Sequence, residues 1–419
     1  MSPGAPSVED ALDRLARTEG GRVLALLARR VGDVGLADDA VQDALVEAAR
    51  TWPERGIPAN PAGWLMSVSR RKAIDRLRRA EVDERRLRAA APGLVSCGPD
   101  VAPVGLVDDT GADVGDEQLR LVLLCCHPAL DPEAQVALTL RLVGGLTTAE
   151  VAAAFLLPEA TLAQRIVRAK HKIRDAGIPL SIPEDLEERV GALLGVLYLV
   201  FNEGYLSRGA AGGPLRVELA DEAVRLTRLV LDLLPGRAEV EGLLALELYH
   251  RSRTAGRAGP DGELVLLDDQ DRSLWDRDGI IEANALLSRA LVRLDPGPYQ
   301  LQAVIAGLHA NAPSPEATDW RAIAAAYAQL VVVLPTPVVA LNRAVAVGFA
   351  EGAAAGLVLL EAIEGLEDYH LYHAARAELL ARTGEVDAAA VAFTRAAELA
   401  RNPAERRHLE RRAAEISPP

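Results

Sequence analysis

The chain has 419 residues, half of them hydrophobic and only 4% aromatic, with a formal net charge of −14. That length exceeds one ordinary domain, and the wealth of Ala and Leu with few β-branched runs excludes a mainly β protein and favours an all-helical one. Three cysteines (Cys97, Cys125 and Cys126) cannot frame a disulfide scaffold, the first ten residues are polar and acidic, and the longest apolar run, 190–201, spans about 18 Å as a helix, too short for a bilayer. These features predict a cytoplasmic protein without a membrane segment.

The acidity is uneven. Residues 1–183 hold 23 Lys and Arg against 25 Asp and Glu, whereas residues 184–419 hold 23 against 35. Two islands are basic: residues 70–88 carry nine bases and four acids, and residues 165–174 carry five bases and no acid. Such islands are either solvated helix faces or surfaces that neutralise phosphates on an otherwise acidic protein.

The first helical zone is predicted over 8–90. In LADDAVQDALVEAARTW (36–52), Leu36, Ala40, Ala44, Leu45 and Ala48 share one stripe. Asp39, Asp43 and Glu47 share another, with Asp38 and Gln42 beside them. The second stripe is either solvated or an acidic ridge for a basic partner. In GIPANPAGWLMSVSRRKAIDRLRRA (56–80), Asn60 is placed to cap and Pro61 suits a first helical turn. Trp64, Leu65, Val68, Ile74 and Leu77 are predicted to face inward, leaving Arg70, Arg71, Lys72, Arg76, Arg78 and Arg79 for solvent or DNA.

Residues 91–115, with three Pro and five Gly, read as a linker. Helical patterning resumes over 116–180. Thr147 and Glu150 form a capping-box pattern ahead of the small-residue segment AEVAAAF (149–155), and LLPE (156–159) breaks it. The next helix turns Leu162, Ile166, Ala169 and Ile173 inward and Thr161, Gln164, Arg165, Arg168, Lys170 and Lys172 outward. A basic second helix after a tight turn is the arrangement by which a helix-turn-helix enters the major groove. Gln and Arg there suit base edges, and Lys suits phosphates. Cys125, Cys126 and His127 read as buried packing rather than metal ligands.

Pro179 and Pro183 mark a junction, and 184–419 is helical to the end. FNEGY (201–205) reads as a helix C-terminus with Gly204 in the left-handed conformation. Residues 371–400 pattern as helix, Gly384 turn and helix, with Ala389, Phe393 and Ala396 at tetratricopeptide-like packing positions. Residues 340–363 are a fainter copy, so this region is a solenoid or a plain helical bundle. His370 and His373 suit a metal only if acids join them.

DDAVQDA, then WL, then AIDRLRR, followed downstream by Thr161, Arg165, Arg168 and Ala169 in the pattern T-x-x-x-R-x-x-R-A, resemble domains two and four of extracytoplasmic-function (ECF) RNA polymerase sigma factors. The CCHPAL run (125–130) and LLGVLYLVFNEGYLSR (193–208) resemble the subgroup with a long helical C-terminal extension. The resemblance implies an all-α protein: sigma domain two over 8–90, a linker over 91–115, sigma domain four as a helix-turn-helix over 116–180, and a solenoid-like extension over 184–419. It assigns polymerase docking to Asp38, Asp39, Gln42 and Asp43, with Glu47 on the same ridge. It places a pocket for a flipped base of the minus-ten element at the loop 52–60, with Arg55, Asn60 and Trp64 around it. The cations of 70–79 would hold the freed strand, and the helix bearing Thr161, Gln164, Arg165, Arg168, Lys170 and Lys172 would read the minus-thirty-five element. The family usually has Asn where Arg71 stands, so base preference does not carry over there. Core RNA polymerase and promoter DNA are the implied partners, with no cofactor, no metal and no catalytic residue. The extension would regulate activity through a protein or peptide. The competing reading is a helix-turn-helix regulator with a peptide-binding repeat domain, and the acidic ridge argues against it, since a regulator that binds a duplex alone has no use for it. No nucleophile elbow, Walker loop or HExxH motif supports an enzyme.

Overall fold

The computed structural model describes residues 7–90, 114–155, 157–206, 217–257, 265–400 and 403–416. Among these, all regular structure is helical. Cys97 and nearly all of the expected linker lie outside the described residues, and Val114 already opens a helix. The chain divides into two units, residues 1–199 and 200–419.

The first unit begins with α1 (Val8–Leu15), where Ser7 and Asp10 form a reciprocal capping box with bonds of 3.0 and 3.3 Å. A π-turn, Ala16–Gly20, leads into α2 (Gly21–Val31). Asp33 then caps α3 (Val34–Arg55) by accepting from the Leu36 amide at 3.0 Å. α4 (Pro61–Ala90) packs along α3. Ala40, Ala44 and Ala48 are fully buried at the four-residue spacing of one helix ridge, which lets the neighbouring helices approach closely. Leu65, Val68 and Ala73 are buried on α4, but Leu77 is 40% exposed, contrary to its inward assignment. Its neighbour Arg76 is the residue that reaches Asp39 and Asp43 on α3, and Leu77 lies about 100° round the helix from it.

α5 (Val114–Cys125) contacts α2, and its buried Glu117 pairs with Arg29 of α2 and, at 3.0 Å, with Arg120. Cys125 and Cys126 are buried in the core, and burial pushes the Cys126 thiol up to about 12. Asp131 caps α6 (Pro132–Leu138), which continues through a π-turn, Thr139–Val143. Gly145 follows at φ +73°, and a Cβ there would strike the Ala16 carbonyl. Only glycine allows this turn to lie against the α1–α2 junction. α7 (Thr148–Ala154) and α8 (Glu159–Asp175) complete the group.

The division between units falls within α9 (Leu186–Leu206). Gly204 lies inside this helix and not in the left-handed conformation expected of a terminus. α9 continues past it through Tyr205 to Leu206, so the helix does not end at Gly204. In the second unit, α10 (Val217–Leu233) packs on α11 (Ala238–Ser252), a helix buried over 240–249, which packs in turn on α12 (Arg277–Leu291) and α13 (Pro298–Asn311). Then α14 (Trp320–Val333), α15 (Pro337–Ala350), α16 (Ala353–Glu361), α17 (His370–Thr383), α18 (Val386–Leu399) and α19 (Pro403–Ile416) each pack chiefly on their neighbours in sequence. That nearest-neighbour stacking is the packing logic of a solenoid. Gly384, at φ +86°, ends α17, and Ala389, Phe393 and Ala396 of α18 are buried in the core it shares with α17 and α19, as the repeat pattern predicts.

Glu247 of α11 is fully buried, and burial pushes its carboxyl well above the usual carboxylate range. Its Oε1 lies 3.1 Å from the Thr227 hydroxyl, which is also 3.0 Å from the Ala223 carbonyl. One hydroxyl proton serves one acceptor, so a carboxyl that donates to Thr227 completes the set. A raised folded-state pKa means that the stabilising proton is held fully below the unfolded value of about 4.5 and lost as pH climbs through the folded value. Glu247→Gln is therefore expected to raise the melting temperature relative to the parent at about pH 8 and to change it little at about pH 5. Thermal unfolding across that range checks this, and an advantage that shrinks with rising pH refutes it.

Candidate nucleic-acid interface

The acidic ridge of α3 and the basic islands are brought together. Arg76 of α4 bonds Asp39 at 3.2 Å and Asp43 at 2.8 Å, and the bond to Asp43 is the main reason its guanidinium is held above its usual value. Arg71 and Lys72 grip the two oxygens of Glu47 at 2.8 and 2.6 Å. The hydrogen bond from Lys72, with the charges of Lys72 and Arg71, lowers the Glu47 carboxyl. Asp38 differs from its neighbours. It is 4% exposed, with Lys170 of α8 at 2.5 Å, Arg141 at 3.8 Å and the Gln42 amide at 3.4 Å. The sequence placed Asp38 on an open docking face. The structure instead turns it into the seam with α8, because a buried carboxylate needs cations beside it. Lys170 also lies 3.8 Å from Asp39, so it is committed to α3 rather than left outward.

α8 is held as the apolar pattern requires. Leu162, Ile166, Ala169 and Ile173 are buried. Thr147 and Glu150 form the expected capping box, with bonds of 2.6 and 3.1 Å, and Glu150 also pairs with Arg17 at 2.9 Å. On the other face Thr161, Gln164, Arg168 and Lys172 are exposed and border a groove between α6 and α8. Arg165, half-buried in that groove, is paired with Glu133 at 2.5 Å.

The loop after α3 is shorter than the sequence suggested. Residues 52–55 remain helical, and the loop is 56–60, opened by Gly56 at φ +81°. Trp52 is buried and meets the half-buried Trp64 edge to face at 5.4 Å. Asn60 accepts from the Gly63 amide at 2.9 Å and caps α4 as expected. Arg55, Arg78 and Arg79 are exposed and Arg70 is half-buried, all without an ion pair among the described residues. His370 pairs with Glu405 at 3.2 Å, and His373 meets the Glu367 carbonyl at 2.8 Å, but no group of three metal-ligating side chains converges among the described residues.

The pairings of Asp38 with Lys170 and Arg141, which join residues more than 100 positions apart, had no signal in the sequence. Lys170→Met is expected to destabilise the first unit by about 2 kcal/mol, the scale of a partly buried charged hydrogen bond. Adding Asp38→Asn should recover most of that loss, because it removes the stranded charge. Chemical denaturation of the single and double variants measures the coupling, and purely additive losses would contradict it.

Comparison with known proteins gives these features a family. Sigma-70 region 2 matches residues 15–82 and Sigma-70 region 4 matches residues 120–173. A family of unknown function, DUF6596, matches residues 189–291. The chain is 43% identical over 392 residues to an uncharacterized protein of Rhizobium meliloti (strain 1021), covering 93% of this chain and 92% of that one. It is 31% identical over 160 residues to the ECF RNA polymerase sigma factor SigK of Mycobacterium ulcerans (strain Agy99), covering 37% of this chain and 75% of SigK. It is 29% identical over 185 residues to the probable ECF RNA polymerase sigma factor SigI of Mycobacterium tuberculosis (strain ATCC 25618 / H37Rv), covering 44% of this chain and 61% of SigI. No solved structure matches the chain. No helix among the described residues is long and apolar enough to cross a membrane. With region 2 on α3 and α4, region 4 on the capped α7–α8 pair and a long helical extension behind them, the chain belongs to the ECF sigma factors, which bind core RNA polymerase and promoter DNA to direct transcription initiation.

Proposed function

We propose a division of labour among named residues within the sigma-factor role. Asp39, Asp43 and Glu47, with Gln42, form the surface that docks on core polymerase, and Asp38 joins them when α8 moves away. Arg55, Asn60 and Trp64 border the pocket that receives an unstacked minus-ten base, and Arg70, Arg71, Lys72, Arg76, Arg78 and Arg79 hold the freed strand. Thr161, Gln164, Arg168 and Lys172 read the minus-thirty-five element, with Arg165 and Lys170 as flanking cations. On this reading residues 8–90 dock and open, residues 116–180 read the upstream element, and residues 184–419 regulate through a bound protein or peptide. The chain acts in the cytoplasm and performs no chemistry of its own.

The observation that carries this reading is the two-faced character of α8, apolar and buried on one side, polar and without side-chain partners among the described residues on the side of Thr161, Gln164, Arg168 and Lys172. A helix so mounted presents side chains to a groove without unfolding anything. The docking acids meet a complementary requirement. The side chains of Asp39 and Asp43 are 52% and 44% exposed, so their bonds to Arg76 are the kind worth at most about 1 kcal/mol. Exchanging them for a partner's cations costs little.

Three measurements test the proposal. Asp39→Arg with Asp43→Arg should weaken binding to core polymerase by about tenfold or more while leaving the far-UV spectrum intact, and unchanged binding refutes the docking role. Lys172→Ala should reduce the salt slope of promoter binding by about 1, whereas Gln164→Ala and Arg168→Ala should relax base preference upstream; equal loss on all sequences would assign them to phosphates instead. Removing the chain after Pro183 should change promoter activity or partner capture, and no change in either would end the regulatory role of the extension.

A further inference from the structure

We infer that the C-terminal unit contains a binding site for a small oxyanion, a carboxylate or phosphate group, built from Arg253, Arg257 and Arg272 with Tyr205 and Trp275. This goes beyond the promoter-reading role and does not depend on it.

The arginines converge on two aromatic rings. The Arg257 guanidinium lies 3.7 Å over the Tyr205 ring, Arg272 lies 4.7 Å over the Trp275 ring, and Arg253 lies 6.0 Å from Trp275. Arg253 donates to the Tyr205 hydroxyl at 2.6 Å, and Arg257 donates to the Tyr205 carbonyl at 3.1 Å. Arg257 and Arg272 are only 8% and 9% exposed. No carboxylate forms an ion pair with any of the three among the described residues. Asp268 and Glu316 are the acids whose charge reaches Arg272, and neither bonds to it. His250 and His309 sit beside the cluster. Burial and the arginine charges hold both low, His309 at about 4, so they are neutral at neutral pH and add no charge of either sign.

The unused donors point to what is missing. Arg272 spends Nη1 on the carbonyls of His309 and Ala312, at 3.0 and 2.7 Å. Its Nε and Nη2 are buried with no partner among the described residues, as are Arg253 Nε, Trp275 Nε1 and His250 Nδ1. Nε and Nη2 form the edge of a guanidinium that grips two oxygens of a carboxylate or phosphate at once. Stacking on Trp275 satisfies the face of Arg272, and the carbonyls satisfy one end, but neither serves this edge. Leaving it empty out of water is costly. Three like charges gathered with no carboxylate bonded to any of them among the described residues repel one another, and a bound anion relieves both penalties. Arg253, His250 and His309 are half-buried, so the cluster reaches the surface on one side.

The test uses the full chain. Sodium phosphate and sodium succinate are titrated separately, each against sodium chloride at matched ionic strength, while melting temperature and tryptophan fluorescence are followed. At least one of the two should give a saturable rise in melting temperature beyond chloride, which identifies the group bound. Trp275→Phe should abolish the fluorescence response, which separates Trp275 from the other three tryptophans, and should weaken the thermal shift, because it removes one of the unpaired donors. Arg272→Gln and the less buried Arg253→Gln should each weaken the response by about tenfold or more; Arg253→Gln alone suffices if Arg272→Gln does not fold. Absence of any shift beyond chloride up to about 20 mM, or an undiminished response in Arg253→Gln, overturns the inference. Because none of these readouts involves polymerase or DNA, failure here leaves the promoter-reading assignment untouched.

Discussion

The arrangement of the sigma portion turns on one buried carboxylate. Asp38 is 4% exposed and takes its nearest cation, Lys170 at 2.5 Å, from α8 rather than from its own helix pair. Arg141, at 3.8 Å, comes from the same downstream group. A charge so placed is stable only while its partners stay, since stranding it out of water costs far more than losing a surface pair. The helix proposed to dock, α3, and the helix proposed to read DNA, α8, are therefore held to each other by the most sheltered charge on either. Around it the same ridge grades outward: Asp39 and Asp43 are half open and loosely held, and Glu47 is paired twice. One face thus combines a lock at Asp38 with exchangeable contacts farther along, and the exposed members are free to change partners first.

Close approach of backbones makes this possible. The sigma portion uses alanines at four-residue spacing in α3 and a left-handed Gly145 against Ala16, and the extension stacks helices on Ala389, Ala392 and Ala396 around Phe393. Cores of this kind need few large rings, which is why a chain with 4% aromatics still buries a core in each of its two units. The rings that remain are grouped. Trp52 meets Trp64 at the loop after α3, Phe201 and Tyr205 meet His250, and Trp320 stacks on Phe349 beneath Arg382. Several serve as platforms for cations rather than as filler.

What the sequence disclosed and what it hid follow from the range of each interaction. The Thr147–Glu150 capping box, the Asn60 cap, the inward stripe of α8 and the Gly384 turn are set by residues within a few positions of one another, and all appear as read. Periodicity reports that a face is buried but not where its cover ends. Ala73 is buried and Leu77, one turn later, is 40% exposed, because Arg76 beside it is the residue that faces α3 there. Gly204 was misread for a related reason: glycine permits the left-handed conformation without requiring it, and only the continuation of α9 decides. The pairing of Asp38 with α8 was invisible, since no local rule links carboxylates to cations so distant in sequence.

Net charge misleads in the same way. Residues 184–419 carry 35 acids against 23 bases, yet they gather Arg253, Arg257 and Arg272 with no carboxylate bonded to any of them among the described residues. Summed charge governs long-range attraction through water, where screening blurs position within about 10 Å. A guanidinium that is 9% exposed answers instead to the atoms in contact with it. The same holds at the other end of the chain, where an acidic protein exposes Arg168 and Lys172 on one helix face and commits Lys170, between them, to a carboxylate. The local balance of donors and acceptors, read one contact shell at a time, is what separates a cation available to nucleic acid from one that holds the fold together.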